Sequence, residues 1–378
     1  LMIKRILTSI AFLLLTAGVL PQAKQTPDLV VMIVVDQLRP EVTENWNLAR
    51  NSRFYSRAYY DYACTETAPG HATLLSGRPP KAHGIIGNTW LETPLYREIS
   101  SVEDRQYESV GGKGEKISPK NFIGEHLSRA WKDKYPQSRF MTASWKDRSA
   151  VMMAGPKGDL AVFAGKTGFI SSTYYPLSKE AIGWLNEFNT ANPFARHAGL
   201  FWLAGSSSPR HRVARDSNNW SKELAYTLFA DRLTAGLAST MIDHYKLGRG
   251  KSPDLLAVSF SGTDYIAHKY AYGSPETTAQ LRNIEKILIN FERDLRKSLP
   301  GKRIVFALSA DHGGTRTNLI GEELGHGEEI LGQFTYSKQM LNEITPKHPY
   351  APKALLYRAP HFYLHYESIG NAMYPRSE

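Results

Sequence analysis

The chain has 378 residues, 42% hydrophobic and 22% charged, a balance that excludes a disordered or fibrous protein and allows a sizeable core. Its formal charge of +10 comes from scattered Lys and Arg with no aromatic-interleaved basic patch, so no nucleic-acid partner is expected. Cys64 is the only cysteine, which excludes an intrachain disulfide framework and leaves stability to the core.

At the start, Lys4-Arg5 is followed by ILTSIAFLLLTAGVL and then PQAKQ. The basic, apolar and small-residue regions in that order predict a signal peptide over residues 1–23, cut near Ala23. A membrane anchor or a buried helix are the alternatives, the run being short for a span. The expectation is export to the periplasm or medium, with no stable membrane insertion after cleavage and residues 24–378 as one domain.

After Asp28, LVVMIVV is a continuous β-branched run that reads as a buried parallel strand, with Asp36-Gln37 just past its end. In CTETAPGHATLLSG, Thr67 precedes Ala68-Pro69 and an apolar run, a helix-start signature in which helical N–H groups face an anion. Further on, helical periodicity appears in SPKNFIGEHLSRAWKDK, with Ser118 as its expected cap, in SKELAYTLFADRLTAGLASTMIDHY and in SPETTAQLRNIEKILINFERDLRK. DLLAVSFSGTD puts Asp264 after a second apolar strand, and RIVFALSADHGG puts Asp311 and His312 after a third. Residues 91 to 116 and 191 to 220 read as loops or insertions. Alternating strands and helices predict an α/β fold, a doubly wound, mostly parallel sheet flanked by helices.

Open sheets of this kind carry their chemistry beyond the C-terminal strand ends. Asp36, Asp264, His268, Asp311 and His312 all fall there, and carboxylate with imidazole in this proportion suits zinc, with paired metals suiting displacement at phosphorus. A single Asp at a strand end is more often a turn or a cap. Asp264 and His268, four apart, face the same way if the segment is helical. AGKT at 164 to 167 is not a phosphate-binding loop, because Leu160 stands where its first Gly belongs. His71 and His83 read as structural.

The segments VVDQLRP, TETAPGHATLLSGRPPKAHGIIGNTW, SVEDRQYESVGG, SPKNF, SWKDRSAV, GKTGFISSTYY, TDYIAH and SADHGG together resemble the alkaline phosphatase superfamily, in the periplasmic branch close to type I phosphodiesterase/nucleotide pyrophosphatases. The resemblance implies that Asp36, Asp311 and His312 hold one zinc, that Asp264 and His268 hold another, and that Thr67, also a metal ligand, is the nucleophile. A metal-activated threonine would attack phosphorus and pass through a phosphothreonine. Cys64 does not fit the sulfatase pattern, since Glu66 and Ala68 stand where a small residue or proline and an arginine belong, so it is expected to be a buried loop residue.

Two zinc ions would be nearly neutralised by Asp36, Asp264, Asp311 and a Thr67 alkoxide, so a phosphomonoester dianion needs further cations. Lys146 and Arg148, two apart after the strand of SRFMTAS, would point the same way if extended. The resemblance gives both of them, with Asn88, contact with the phosphoryl oxygens. The expected function is therefore a zinc-dependent phosphomonoester hydrolase acting on small phosphate esters, with a phosphodiesterase or nucleotide pyrophosphatase on the same metals as the alternative.

The second zinc of the family has a third ligand, a His in a His-Gly context near the C-terminus. His326 comes too early in family order, and His348, His361 and His365 lack that context, so none is assigned. A chain that lacks its closing segment is the expectation, and an impaired metal-binding remnant is the third reading.

Overall fold

The computed structural model describes residues 26–44, 46–47, 52–92, 97–205 and 210–314, and the backbone of 355–358 and 361–364. In chain order the strands are β1 (Leu29–Val35), β2 (Thr89–Glu92), β3 (Arg97–Ser100), β4 (Ser109–Val110), β5 (Phe140–Ser144), β6 (Leu160–Ala164), β7 (Phe169–Ser172), β8 (Phe201–Leu203), β9 (Arg210–Arg212), β10 (Asp254–Phe260), β11 (Ile304–Ser309), β12 (Leu355–Arg358) and β13 (His361–Leu364). The main helices are α1 (Thr67–Ser76), α2 (Leu127–Lys134), α3 (Asp147–Ala154), α4 (Lys179–Thr190), α5 (Phe229–His244), α6 (Gly262–Tyr270) and α7 (Pro275–Ser298). Among the described residues, no helix is long and apolar enough to cross a membrane.

The principal sheet has seven strands in the order β11-β1-β10-β5-β6-β7-β4. The first five run parallel, and β7 joins antiparallel to both β6 and β4. This is the expected doubly wound arrangement, with helices on both faces. Side-chain alternation in β1 shows why the sequence is apolar throughout. Val31, Ile33 and Val35 enter the cluster that holds Met241 of α5 and Ile284 of α7. Val34 enters the opposite cluster with Leu75 of α1 and Met153 of α3. Each such buried aliphatic side chain contributes roughly 1.5–3 kcal/mol relative to exposure.

Three local expectations are corrected. The helix expected to begin at Ser118 begins at Leu127. The Ser118 hydroxyl instead donates to Asp104 Oδ2 at 2.5 Å and accepts from Lys120 N–H, which closes a turn, and the cap is His126, whose ring accepts from Ser128 N–H. The long helix expected over SKELAYTLFADRLTAGLASTMIDHY is broken: Trp220–Ala225 and α5 are separated at residues 226 to 228, where Thr227 Oγ1 donates to Leu224 O and accepts from Phe229 N–H. The presumed loops hold the small antiparallel pairs β2–β3 and β8–β9.

Candidate active site

Strand order explains why the chemistry converges. β11, β1, β10 and β5 are adjacent and parallel, so the segments after them meet at one edge: Asp311-His312 after β11, Asp36 after β1, Asp264 after β10, and Lys146 after β5. Gln37, at φ 63, turns the chain sharply there. Its N–H donates to Asp311 Oδ1 at 3.1 Å and its amide to Asp264 Oδ1 at 3.2 Å, tying three strand ends together. Asp264 lies in the first turn of α6 and His268 one turn later, with His268 Nε2 3.1 Å from Asp264 Oδ1, as the four-residue spacing requires.

Asp36, Asp311 and His312 form a buried cluster whose ligand atoms lie within 4.8 Å of one another. His312 Nε2 stands 3.2 Å from Asp36 Oδ1 and 3.7 Å from Asp311 Oδ2. Those two carboxylate oxygens are buried and receive no aligned hydrogen bond. An orphaned pair of buried anionic oxygens facing an imidazole nitrogen is a donor set that fits a divalent ion of zinc's character. Burial opposes charge on His312, but the Asp311 and Asp36 carboxylates outweigh it and push its pKa up to about 10. Burial likewise raises Asp311, yet His312, His71 and Lys146 hold its carboxyl well below the usual range. His268 is raised by its hydrogen bond to Asp264.

Thr67 is the first residue of α1 and 2% exposed. It is not the cap: that position is Glu66, extended and without a side-chain cap bond. Asn88 serves the helix start instead. Its Oδ1 accepts from Ala68 N–H at 2.8 Å, while its own N–H donates to Glu66 Oε2 at 2.7 Å. The Thr67 hydroxyl is left to face the strand ends. His71, expected to be structural, braces this geometry directly: Nδ1 lies 2.7 Å from Thr67 O and 3.3 Å from Asp311 Oδ2, and Nε2 2.8 Å from Ser259 Oγ. Because a carbonyl only accepts, Nδ1 carries the proton. The clue in sequence was its position one turn after Thr67.

Cys64 is half-buried, and burial with the neighbouring Glu66 carboxylate pushes its thiol up to about 12, which leaves no thiolate for nucleophilic attack.

Lys146 and Arg148 are not related by strand alternation. β5 ends at Ser144, Lys146 is the N-cap of α3, and Arg148 lies within that helix. Lys146 Nζ lies 2.6 Å from Asp36 Oδ2, 2.5 Å from Asp264 Oδ2 and 3.1 Å from Thr67 Oγ1, and 5.0 Å from the centre of the Tyr265 ring. Burial opposes its charge, but Asp36 and Asp264 win and raise its pKa. Arg148 is partly exposed, with Nη1 3.9 Å from Asp147 Oδ1 and Nε buried without a hydrogen bond. The structure therefore gathers Asp36, Thr67, Lys146, Asp264, His268, Asp311 and His312 at one strand edge, with Asn88 at the start of α1. His326, His348 and His365, and the side chain of His361, lie outside the described residues. AGKT is the turn between antiparallel β6 and β7, as its missing first Gly implies.

The Type I phosphodiesterase / nucleotide pyrophosphatase family matches residues 30–354. Alkaline phosphatase PhoV of Synechococcus elongatus is 29% identical over 343 residues, covering 79% of this chain and 61% of that protein. Alkaline phosphatase PafA of Elizabethkingia meningoseptica is 29% identical over 336 residues, covering 76% and 60%. The chain thus spans about three fifths of the length of these curated relatives. The crystal structure of wild-type PafA shares the fold, with a TM-score of 0.79 at 22% identity over 94% of this chain and 75% of that one.

Proposed function

This chain belongs to the Type I phosphodiesterase / nucleotide pyrophosphatase family, and on that premise we propose that residues 24–378 form a zinc-dependent phosphomonoester hydrolase domain in which Thr67 is the nucleophile. The observation that carries the reading is the placement of Thr67 Oγ1 at the N-terminus of α1, uncommitted to capping and 3.1 Å from Lys146 Nζ, beside the buried Asp36–Asp311–His312 cluster. Asp36, Asp311 and His312 would hold one zinc and Asp264 with His268 the other. When bound, the ions lower the pKa of the Thr67 hydroxyl and neutralise phosphoryl charge.

Thr67 Oγ, having given up its proton, attacks phosphorus, the phosphorus–ester-oxygen bond breaks, the leaving oxygen departs with its alkyl or aryl group and ends protonated as the alcohol, and a phosphothreonine remains. Water then attacks phosphorus, returning the Thr67 hydroxyl and releasing phosphate. The α1 N-terminus, Lys146 and Arg148 offer positive ends to the phosphoryl oxygens, and Asn88, whose Oδ1 is taken by Ala68 N–H, offers its amide N–H groups. The names of the curated relatives favour phosphomonoesters, and the family's name favours diesters, so the second reading is a phosphodiesterase on the same residues. The N-terminal basic and apolar segment supports a periplasmic or secreted location.

Acid quenching of zinc-loaded protein turning over an aryl phosphate should leave phosphate on the peptide containing Thr67. Thr67→Ala should lose that adduct and the activity, and Thr67→Ser should keep both. An active Thr67→Ala would overturn the mechanism, and a faster rate on the diaryl ester would favour the second reading.

A further inference from the structure

Asp36, Asp264 and Asp311 are not equivalent as partners for a cation. Asp264 has both oxygens engaged: Oδ1 accepts from the Gln37 amide at 3.2 Å and lies 3.1 Å from His268 Nε2, while Oδ2 lies 2.5 Å from Lys146 Nζ. Asp36 is divided. Its Oδ2 pairs with Lys146 at 2.6 Å and its Oδ1 is an orphan, as is Asp311 Oδ2. Lys146 is 3% exposed and cannot reach water without leaving these partners.

We infer that Lys146 makes metal loading sequential: the first ion enters the Asp36 Oδ1–Asp311 Oδ2–His312 set, and a second must displace the Lys146 ammonium from Asp264 Oδ2. This rests on the two-metal reading of the site. At the first set no ammonium stands on the oxygens that an ion would meet, since Asp36 Oδ1 and Asp311 Oδ2 are without hydrogen bonds. The second position sets an incoming cation against a tethered ammonium on the same carboxylate oxygen, where burial leaves their repulsion poorly screened. Displacement does not discard the lysine. Its Nζ is already 3.1 Å from Thr67 Oγ1, so the freed ammonium stays next to the oxygen that will carry the phosphoryl group. Lys146 thereby links occupancy of the second position to the availability of a phosphate-binding cation.

The test is zinc titration of the metal-stripped full chain against a chromogenic chelator, for the wild type, Lys146→Met and Lys146→Arg. The wild type should take up two ions in unequal steps. Lys146→Met should tighten the weaker step about tenfold or more and the tighter one by clearly less, because the ammonium, though 2.6 Å from Asp36 Oδ2, occupies an oxygen that the ion needs only at the second position. Lys146→Arg keeps the charge and should keep the inequality, which separates the effect from misfolding. In the metal-free state, Lys146→Met should melt below the wild type, since two buried carboxylates lose their shared cation. A weaker step that is unchanged or weakened in Lys146→Met would overturn the inference while leaving the two-metal reading intact. Failure of the wild type to bind zinc would overturn both.

Discussion

Gly70 and Asp311 meet through their backbones: a Cβ built on Gly70 would stand 2.1 Å from Asp311 O, and 2.9 Å from Asp311 Cβ. Gly70 lies one turn into α1, with its N–H bonded to Glu66 O, so this contact sets the distance between the helix that presents Thr67 and the strand end that presents Asp311 and His312. Gly70→Ala should force the two apart, destabilising the fold by about 1–3 kcal/mol and lowering kcat/KM about 100-fold. Gly236 in α5 is the control. It is exposed with nothing within 4 Å of an added Cβ, so Gly236→Ala should stabilise by roughly 0.5–1 kcal/mol with activity unchanged. Denaturant melts and steady-state rates check both.

Asp231, on α5, holds the helix that carries Asp264 and His268. Its Oδ1 accepts from Gly262 N–H at 3.0 Å and its Oδ2 from the Gln280 amide at 2.5 Å, while burial pushes its pKa up to about 6. Asp231→Ala leaves two buried donors unpaired. The expected cost is about 2–3 kcal/mol of stability, together with a weaker zinc step at Asp264 and His268. Asp231→Asn keeps an acceptor for Gly262 N–H and should cost less on both counts. A chemical melt and zinc titration of the two variants would show that order or refute it.

The strands and their terminal acids were legible because a parallel strand buried on both faces leaves a continuous apolar run, and because the chemistry gathers where such runs stop. The stretch SPETTAQLRNIEKILINFERDLRK, expected to be helical, forms α7 from its second residue, with Ser274 and Pro275 at its start and the Ser274 hydroxyl accepting from Thr277 N–H. Ser118-Pro119 carried the same signature and misled: the Ser118 hydroxyl accepts from Lys120 N–H and donates to Asp104 Oδ2, but the turn it starts does not continue as a helix, which begins only at Leu127. The cap that replaced it, His126, is not a usual capping residue. Lys146 and Arg148 were identified as cations near the site, but their relation depends on β5 ending at Ser144, which no periodicity reveals. Gln37 and Asp231 act only through neighbours that the fold brings together, so composition and spacing carry no signal for them, whereas His71 is marked only by standing one turn after Thr67.

Asp311→Asn should separate metal binding from folding. Asp311 Oδ1 accepts from Gln37 N–H and His312 N–H at 3.1 and 2.9 Å, and an asparagine oxygen can keep both bonds. The amide nitrogen would replace the orphaned, charged Oδ2. Without metal the variant should therefore fold but melt below the wild type, because the charge that His312, His71 and Lys146 favour is lost and the new amide N–H2 faces His71 Nδ1–H. Zinc at about 100 times its dissociation constant should add about 2.7 kcal/mol to the wild type, and chelator should remove it. Asp311→Asn should show little of that increment. An equal zinc-induced rise in both proteins would take Asp311 out of the ligand set.

His126 and His83 predict how stability responds to acid. Burial lowers both to about 4. His126 Nε2 lies 3.0 Å from Met152 O and so must carry the proton, while Nδ1 accepts from Ser128 N–H, which leaves no room for a second proton without losing the cap. In the unfolded chain each ring titrates near 6.5, so between about pH 6.5 and 4 the unfolded state binds more protons and stability falls as pH falls. The loss is on the order of 2–3 kcal/mol for each histidine once the pH is below 4. His126→Asn can still accept from Ser128 N–H but gives up the bond to Met152 O and the ring contacts with Phe122 and Phe140. It should be less stable than the wild type at pH 7, yet lose less between pH 7 and 4.5. Parallel slopes of unfolding free energy against pH for the two proteins would show that His126 is not a source of the acid sensitivity.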